Sequence, residues 1–301
     1  MELKQLVPEF AEKFYKFFKQ RAILRAADEA LPPEIHQQDQ HLKISFCITC
    51  MNRLFQLKQT IFKNLQDNAS YPNCEFIIVN YNSQDGLHEW VAENLKAEIE
   101  TGRIKYFHTK EAPGWHAAHA KNIAHFLAAG DVVVNLDGDN FTGKDFAFYI
   151  NYLYQTHPGQ DLLLNFKKDK YYGTYGRICM TRKAFTSLGG YDEDLHAIGG
   201  EDTDLVERGI AYHLPYHNIE IENFLKYIEN TNNERVKNTT LSNSFAYYNK
   251  INKDKTEQRV ASHDLIANVG KAKKVRGYKN LALQPVEITY LAPARVPAAI
   301  S

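Results

Sequence analysis

The chain has 301 residues, enough for one large domain with appendages or for two small ones. Lys plus Arg equals Asp plus Glu at 36 each, so no net field draws the molecule to nucleic acid, and no nucleic-acid partner is expected. Cys47, Cys50, Cys74 and Cys179 are too few for a disulfide framework. Cys47 and Cys50 sit three apart on an expected strand and face opposite sides, which disfavours joint metal chelation; reduced thiols in a cytoplasmic protein are expected.

In chain order, residues 1–40 read as an amphipathic helical extension. Leu3, Leu6, Val7, Phe10, Phe14, Phe17 and Phe18 recur at helical spacing among Lys13, Lys16, Lys19 and Arg21, until Pro32 and Pro33 break the pattern. Such a helix docks on the main domain or another subunit, or rests on an anionic membrane surface. Charges throughout residues 1–20 disfavour a secretory leader, and no segment has the apolar length to span a bilayer. A cytoplasmic protein is expected, with peripheral contact at the inner membrane face as the alternative.

From Leu42 the chain alternates strand and helix. KISFCIT and EFIIVN are β-rich and flank a helical-period segment over 54–65. A helix over 87–99, strand RIKYF and a helix over 117–128 follow, and DVVVNL runs into Asp137-Gly138-Asp139. This alternation predicts an α/β fold, a mainly parallel sheet flanked by helices, with ligands bound beyond the carboxyl ends of the strands. A helix over 145–154, strand DLLLNF, a strand pair in YYGTYGRICM and a short helix over 182–188 come next. Gly199-Gly200-Glu201-Asp202 opens another helix. Residues 41–240 are the expected main domain, and 241–301 a C-terminal extension ending in an extended, proline-bearing tail.

Four clusters carry chemistry. Asp137 and Asp139 bracket Gly138 at a strand end, where carboxylate oxygens suit Mg²⁺ or Mn²⁺ and the glycine admits a diphosphate; an ordinary Asp-Gly turn fits equally well. Glu201 and Asp202 open a helix behind two glycines, more than capping requires, and either carboxylate can serve as a general base. Asn80, Asn82, Ser83 and Asp85 follow the second strand, where they either read a nucleobase and ribose or cap the next helix. His116, His119, Lys121 and Asn122 lie at a helix start suited to phosphate.

Taken in order, CITCMNRLFQLKQTI, IIVNYNSQDGLHEWV, HAAHAKNIAHFLAAGDVVVNLDGDNFTG and GGYDEDLHAIGGEDTDLVERG resemble the family 2 glycosyltransferases of GT-A fold, over roughly residues 44–209. The last run also resembles the GGED motif of β-galactosyltransferases. The resemblance implies an inverting transfer from a nucleotide diphosphate sugar, UDP-linked in many relatives, to a hydroxyl of a glycan or glycolipid, as in surface polysaccharide synthesis. It implies a nucleotide-sugar pocket of Thr49, Cys50, Asn52, Arg53, Asn80, Asn82, Asp85, Lys121, Asn122, Asp137 and Gly138. Asn80 stands where relatives usually carry an aspartate touching uracil. Asp139 and Asp137 would hold Mn²⁺ or Mg²⁺, with Asn230 where many relatives have a histidine and His213 and His217 as alternative ligands. Asp202 would be the catalytic base. Glu201 and Gly200 would face the acceptor. Read as residues alone, Trp115, Tyr171, Tyr172 and Tyr175 either stack on sugar rings or pack as ordinary aromatics. A silent GT-A-fold binding protein and a sugar nucleotidyltransferase are the alternatives, the latter disfavoured because CMNRLFQ lacks a glycine-rich phosphate loop.

Overall fold

The computed structural model describes residues 31–168, 172–271 and 273–290. The expected helix within 1–30, the tail from 291 and Tyr171 lie outside the described residues.

Among the described residues one nine-stranded sheet organises the chain, in the order β7 (Tyr216–Ile219), β5 (Leu163–Phe166), β6 (Ile178–Thr181), β4 (Val132–Asn135), β1 (Ile44–Cys50), β2 (Cys74–Tyr81), β3 (Ile104–Thr109), β8 (Lys273–Asn280) and β9 (Pro285–Tyr290). Its centre is the predicted parallel array of β1 (Ile44–Cys50), β2 (Cys74–Tyr81), β3 (Ile104–Thr109) and β4 (Val132–Asn135). All seven residues of β1 are buried, because helices cover both faces and no solvated face remains. Ile44, Phe46, Ile48 and Cys50 enter the core beneath α1 (Leu54–Asp67), where Phe46 stacks on Phe76 at 4.7 Å. Cys47 enters the core on the other face, beneath α4 (Ala117–Leu127). The two thiols therefore lie on opposite sides of the sheet, as their spacing predicts. The helical segment after β2 breaks at Leu95 into α2 (Leu87–Asn94) and α3 (Lys96–Glu100).

Beyond β4 the sheet is mixed rather than parallel. After α5 (Phe146–Thr156) come β5 (Leu163–Phe166) and β6 (Ile178–Thr181), which run antiparallel to each other, and β6 is antiparallel to β4. YYGTYGRICM thus supplies one strand, not two. Its first half turns through a 3-10 segment, Tyr172–Thr174, where a side chain on Gly173 would collide with the Tyr227 ring. The short helix α6 (Arg182–Ser187) leads to α7 (Glu201–Ala211), and β7 (Tyr216–Ile219) closes this edge parallel to β5.

Residue 240 marks no break in packing. The single-turn α8 (Asn232–Val236) leads to α9 (Phe245–Ala261), which packs along α7. The hairpin β8 (Lys273–Asn280) and β9 (Pro285–Tyr290) then joins β3. The stretch expected to be an extended tail is therefore sheet up to Tyr290. The buried stripe of α9 is Tyr248, Asn252, Thr256 and Val260, half of it polar, which leaves little hydrophobic periodicity to read. Among the described residues no helix is long and apolar enough to cross a membrane.

Candidate active site: an acidic cleft at the carboxyl edge of the sheet

The carboxyl ends of β1 and β4, the start of α7, the 230–238 segment and the start of α9 enclose a cleft of about 390 Å³, within the range of small-molecule sites. Asp137, Asp139, Glu201 and Asp202 all line it, with Lys121 and Arg53.

Lys121 organises the acidic groups. Its buried Nζ donates to Asp202 Oδ1 at 2.7 Å and to Glu201 Oε1 at 2.9 Å, and lies 4.0 Å from Asp137 Oδ1. Burial works against its charge, but Asp202, Glu201 and Asp137 outweigh that penalty and hold the ammonium well above the usual lysine range. Burial also pushes Glu201 up, yet Lys121 overrides it and leaves the carboxyl below its ordinary value. Burial raises the Asp202 carboxyl to about 7; Lys121 opposes the shift, and the charges of Glu201 and Asp137 add to it.

Gly176 makes the close assembly possible. A Cβ at this position would fall 2.6 Å from Asp202 Oδ2 and 3.0 Å from Asp137 Oδ2, so the two carboxylates reach the same point of the cleft across bare backbone. Asn135 fixes this approach by donating to the Gly176 carbonyl at 2.8 Å and to Asp137 Oδ1 at 3.2 Å.

Asp139 is held on both oxygens, Oδ1 by Asn140 Nδ2 at 2.6 Å and Oδ2 by Asn230 Nδ2. Burial and the neighbouring Asp137 charge raise its carboxyl to about 6, against Asn140, Arg53 and Arg235. Arg53 Nη1 and Gln56 Nε2 each donate to Asn230 Oδ1 at 2.9 Å. That fixes the Asn230 amide as a donor toward Asp139, so its oxygen is committed elsewhere and does not face the carboxylates as a metal ligand.

The other expected positions divide. Thr49, Trp115, Gly138, Gly200, Tyr175 and Asn230 line the cleft. Several others do not, because their short polar side chains tie loops together. Asn80 Oδ1 accepts from Ser83 N at 2.8 Å and its Nδ2 donates to Tyr106 Oη at 2.9 Å. Asn52 bonds Gln84 N and Asn238, and Asn82 donates to Ala112 O. Asp85 accepts from Leu54 N at the start of α1, and Asn122 clamps the backbone of Tyr191 on both sides. Cys50 is fully buried, with burial raising its thiol.

His213 and His217 are corrected as metal ligands on position. His217 sits on β7, three strand spacings from β4, on the order of 14 Å. His213 lies in the turn before β7, at the edge of the sheet opposite the cleft. Of the expected stacking residues, Trp115 and Tyr175 line the cleft, and the side chain of Tyr172 lies outside the described residues.

Residues absent from the sequence-based set also line it: Met51, Gly176, Ile198, Arg235, Asn238, Phe245 and Asn249. The last two come from α9, far from any motif. The two glycines before Glu201 serve this packing. Side chains at Gly199 and Gly200 would meet Asn249 Cβ and Asn252 Cβ at 3.0 Å, so their close neighbour is α9. Buried Asn252 donates to the Gly199 carbonyl at 2.5 Å and to His196 O at 3.1 Å, pinning the loop that presents Glu201 and Asp202.

The mannosyltransferase PcManGT from Pyrobaculum calidifontis, in complex with GDP-Man and Mn²⁺, aligns with a TM-score of 0.51 at 15% identity, over 72% of this chain and 66% of that one, just under two thirds. At this identity the likeness is one of fold, the GT-A glycosyltransferase fold. S. aureus TarS 1-349 (TM-score 0.49, 13% identity, 73% of this chain and 72% of that one) and GalNAc-T7 with UDP, GalNAc and Mn²⁺ (0.48, 14%, 62% and 46%) are weaker likenesses and carry no weight here. No curated protein matches the chain. Residues 45–156 match the model of glycosyl transferase family 2, and residues 160–234 that of the N-terminal domain of galactosyltransferase. Over these two stretches the chain is similar to a family 2 glycosyltransferase domain followed by a galactosyltransferase-like segment.

Proposed function

We propose that the cleft catalyses an inverting, metal-dependent transfer of a sugar from a nucleotide diphosphate donor to a hydroxyl of a glycan or glycolipid. The observation that supports this best is the meeting of Asp137 and Asp202 at Gly176, in a cleft that also holds Asp139, Glu201 and Lys121.

Asp202 is assigned as the base: it receives the acceptor proton as the hydroxyl oxygen attacks the anomeric carbon from the face opposite the leaving diphosphate. Glu201 and Gly200 flank the acceptor, and Trp115 and Tyr175 offer aromatic faces to sugar rings. Thr49 and Arg53 line the nucleotide side. Lys121 holds Glu201 and Asp202 in place rather than standing apart as a phosphate ligand.

The donor set fits a divalent ion. Asp137 and Asp139 are hard oxygen ligands, and the upward shift of Asp139 under burial and the Asp137 charge marks a like-charge pair that a cation relieves. Among the described residues no third His, Cys, Asp or Glu joins them in a ligating group, which leaves the remaining positions to phosphate and water, as Mg²⁺ and Mn²⁺ accept. When bound, the ion supplies Lewis-acid neutralisation of the charge that grows on the leaving diphosphate.

A UDP-linked donor follows from the family resemblance. With Asn80 committed to Ser83 and Tyr106, reading of the base falls to other atoms of the pocket. Work in surface polysaccharide assembly, and contact with a membrane or a second copy through residues 1–30, are extended from the same resemblance and from the sequence pattern.

Incubation with a panel of radiolabelled nucleotide sugars and Mn²⁺ tests the reading. One donor should be turned over, at least by slow hydrolysis, and no turnover of any donor contradicts it. The pH dependence gives a second expected result. A base must be ionised to take a proton, so kcat/KM should rise with pH through about 7, where burial places the Asp202 carboxyl. Lys121→Met removes a group that opposes that shift by charge and by a direct hydrogen bond, so the rising limb should move to higher pH. A profile flat from pH 5 to 9 contradicts the assignment.

A further inference from the structure

Arg177 is a fully buried guanidinium with no part in the reading above. It immediately precedes β6, directly after the Gly176 that brings Asp137 and Asp202 together. Its Nη2 donates to Asn140 Oδ1 at 2.9 Å and to the Lys226 carbonyl at 3.3 Å. Its plane lies near the Phe146 ring, 5.8 Å from the centroid. Nε and Nη1 are buried with no hydrogen-bond partner among the described residues.

Burying a guanidinium while leaving two of its nitrogens unmatched is expensive, and a methionine or leucine of similar volume against Phe146 would pack without that cost. The buried charge is set against the carboxylates of Asp137 and Asp139, and its hydrogen bonds go to their neighbours. Asn140, itself fully buried, turns its oxygen to Arg177 and its Nδ2 to Asp139 Oδ1 at 2.6 Å. The Lys226 carbonyl that Arg177 also holds accepts from Phe141 N at 3.0 Å, and two residues on, Ile228 N donates to the Asp139 carbonyl at 2.8 Å. The guanidinium therefore grips both strands of the turn that presents Asp139. By accepting from a cation, the Asn140 amide has one orientation fixed, with its NH₂ toward the carboxylate.

We propose that Arg177 is a positioning residue for Asp139, acting through the Asn140 amide to hold Oδ1 at the angle a divalent ion requires. The inference rests on the reading of Asp139 as a metal-holding carboxylate. Outer partners of this kind orient a ligand and set its affinity without touching the ion.

The test uses the full chain and Mn²⁺ alone, with free Mn²⁺ followed by its electron paramagnetic resonance signal and thermal stability measured alongside. Arg177→Met should weaken Mn²⁺ binding about ten-fold or more, while its Tm stays at or above wild type, because a buried charge has been exchanged for a packed apolar group. Asn140→Ala should weaken binding similarly. The double variant should be no weaker than the worse single one, because the two residues act in series. Arg177→Lys, which keeps a charge within reach of Asn140, should recover part of the loss. If wild type binds Mn²⁺ and Arg177→Met binds it equally well, the inference is overturned while the metal reading stands. It is equally overturned if the two single losses multiply in the double variant, or if the loss in Arg177→Met comes with a lowered Tm that Arg177→Lys shares. If wild type takes up no Mn²⁺, the metal reading fails and this inference falls with it.

Discussion

Replacing Asp202 with asparagine should lower sugar transfer by about 10²–10⁴-fold, the usual contribution of a positioned general base, while donor binding stays close to wild type. The amide is isosteric, and its oxygen can still accept from Lys121, which lies 2.7 Å from Asp202 Oδ1. Lys121 also keeps its bond to Glu201 at 2.9 Å, so the ammonium is not stranded and the cleft should not collapse. What disappears is the capacity to take a proton at the point where Asp202 and Asp137 converge beside Gly176. Steady-state transfer rates and equilibrium donor binding, measured on the same preparations, separate the two effects. Near-normal turnover in Asp202→Asn would move the base elsewhere, with Glu201 the next carboxylate in the cleft.

Replacing Asp139 with alanine should instead abolish the stabilisation that Mn²⁺ and donor confer together. A ligand that binds only the folded state at one hundred times its Kd adds about 2.7 kcal/mol, which a protein of this size registers as a Tm rise of several degrees. Wild type should show that rise, and Asp139→Ala should show little beyond the effect of donor alone. His217→Ala is the matched control. Its ring lies three strand spacings from β4, so the rise should survive intact. A lost rise in His217→Ala, or a preserved one in Asp139→Ala, contradicts the assignment of the metal site.

Much of this architecture was legible in the sequence for a local reason. Asp137-Gly138-Asp139 follows a run of buried apolar residues, so the motif reveals both its strand and the edge where that strand ends. Lys121 sits in the first turns of a helix with a small, apolar face, and Gly199-Gly200-Glu201-Asp202 announces a helix start. These signals rest on neighbours in the chain.

What escaped depends on partners far away in it. Asn52, Asn80, Asn82 and Asp85 have the chemistry to read a nucleotide, and equally the chemistry to satisfy backbone groups in tight turns. Only the fold reveals that the second use claims them. Gly199 and Gly200 exceed what capping requires, and the close approach they permit is that of α9, nearly fifty residues on. Because the inward stripe of α9 carries Asn252 and Thr256, its pattern did not mark it as part of the core, and the start of the same helix brings Phe245 and Asn249 to the cleft. Arg177 was invisible for the same reason: an arginine beside ICMT reads as the charged end of a strand. Its partner Asn140 lies 37 positions earlier.

The stereochemistry of turnover tests the whole account most directly. With the active nucleotide sugar in the presence of Mn²⁺, proton NMR of the first-formed product should show the anomeric configuration opposite to that of the donor. Chelation of the metal and Asp202→Asn should each suppress the signal. A product that keeps the donor's configuration, or one that forms at the same rate without a divalent ion and without the Asp202 carboxylate, would contradict a single displacement driven from this cleft.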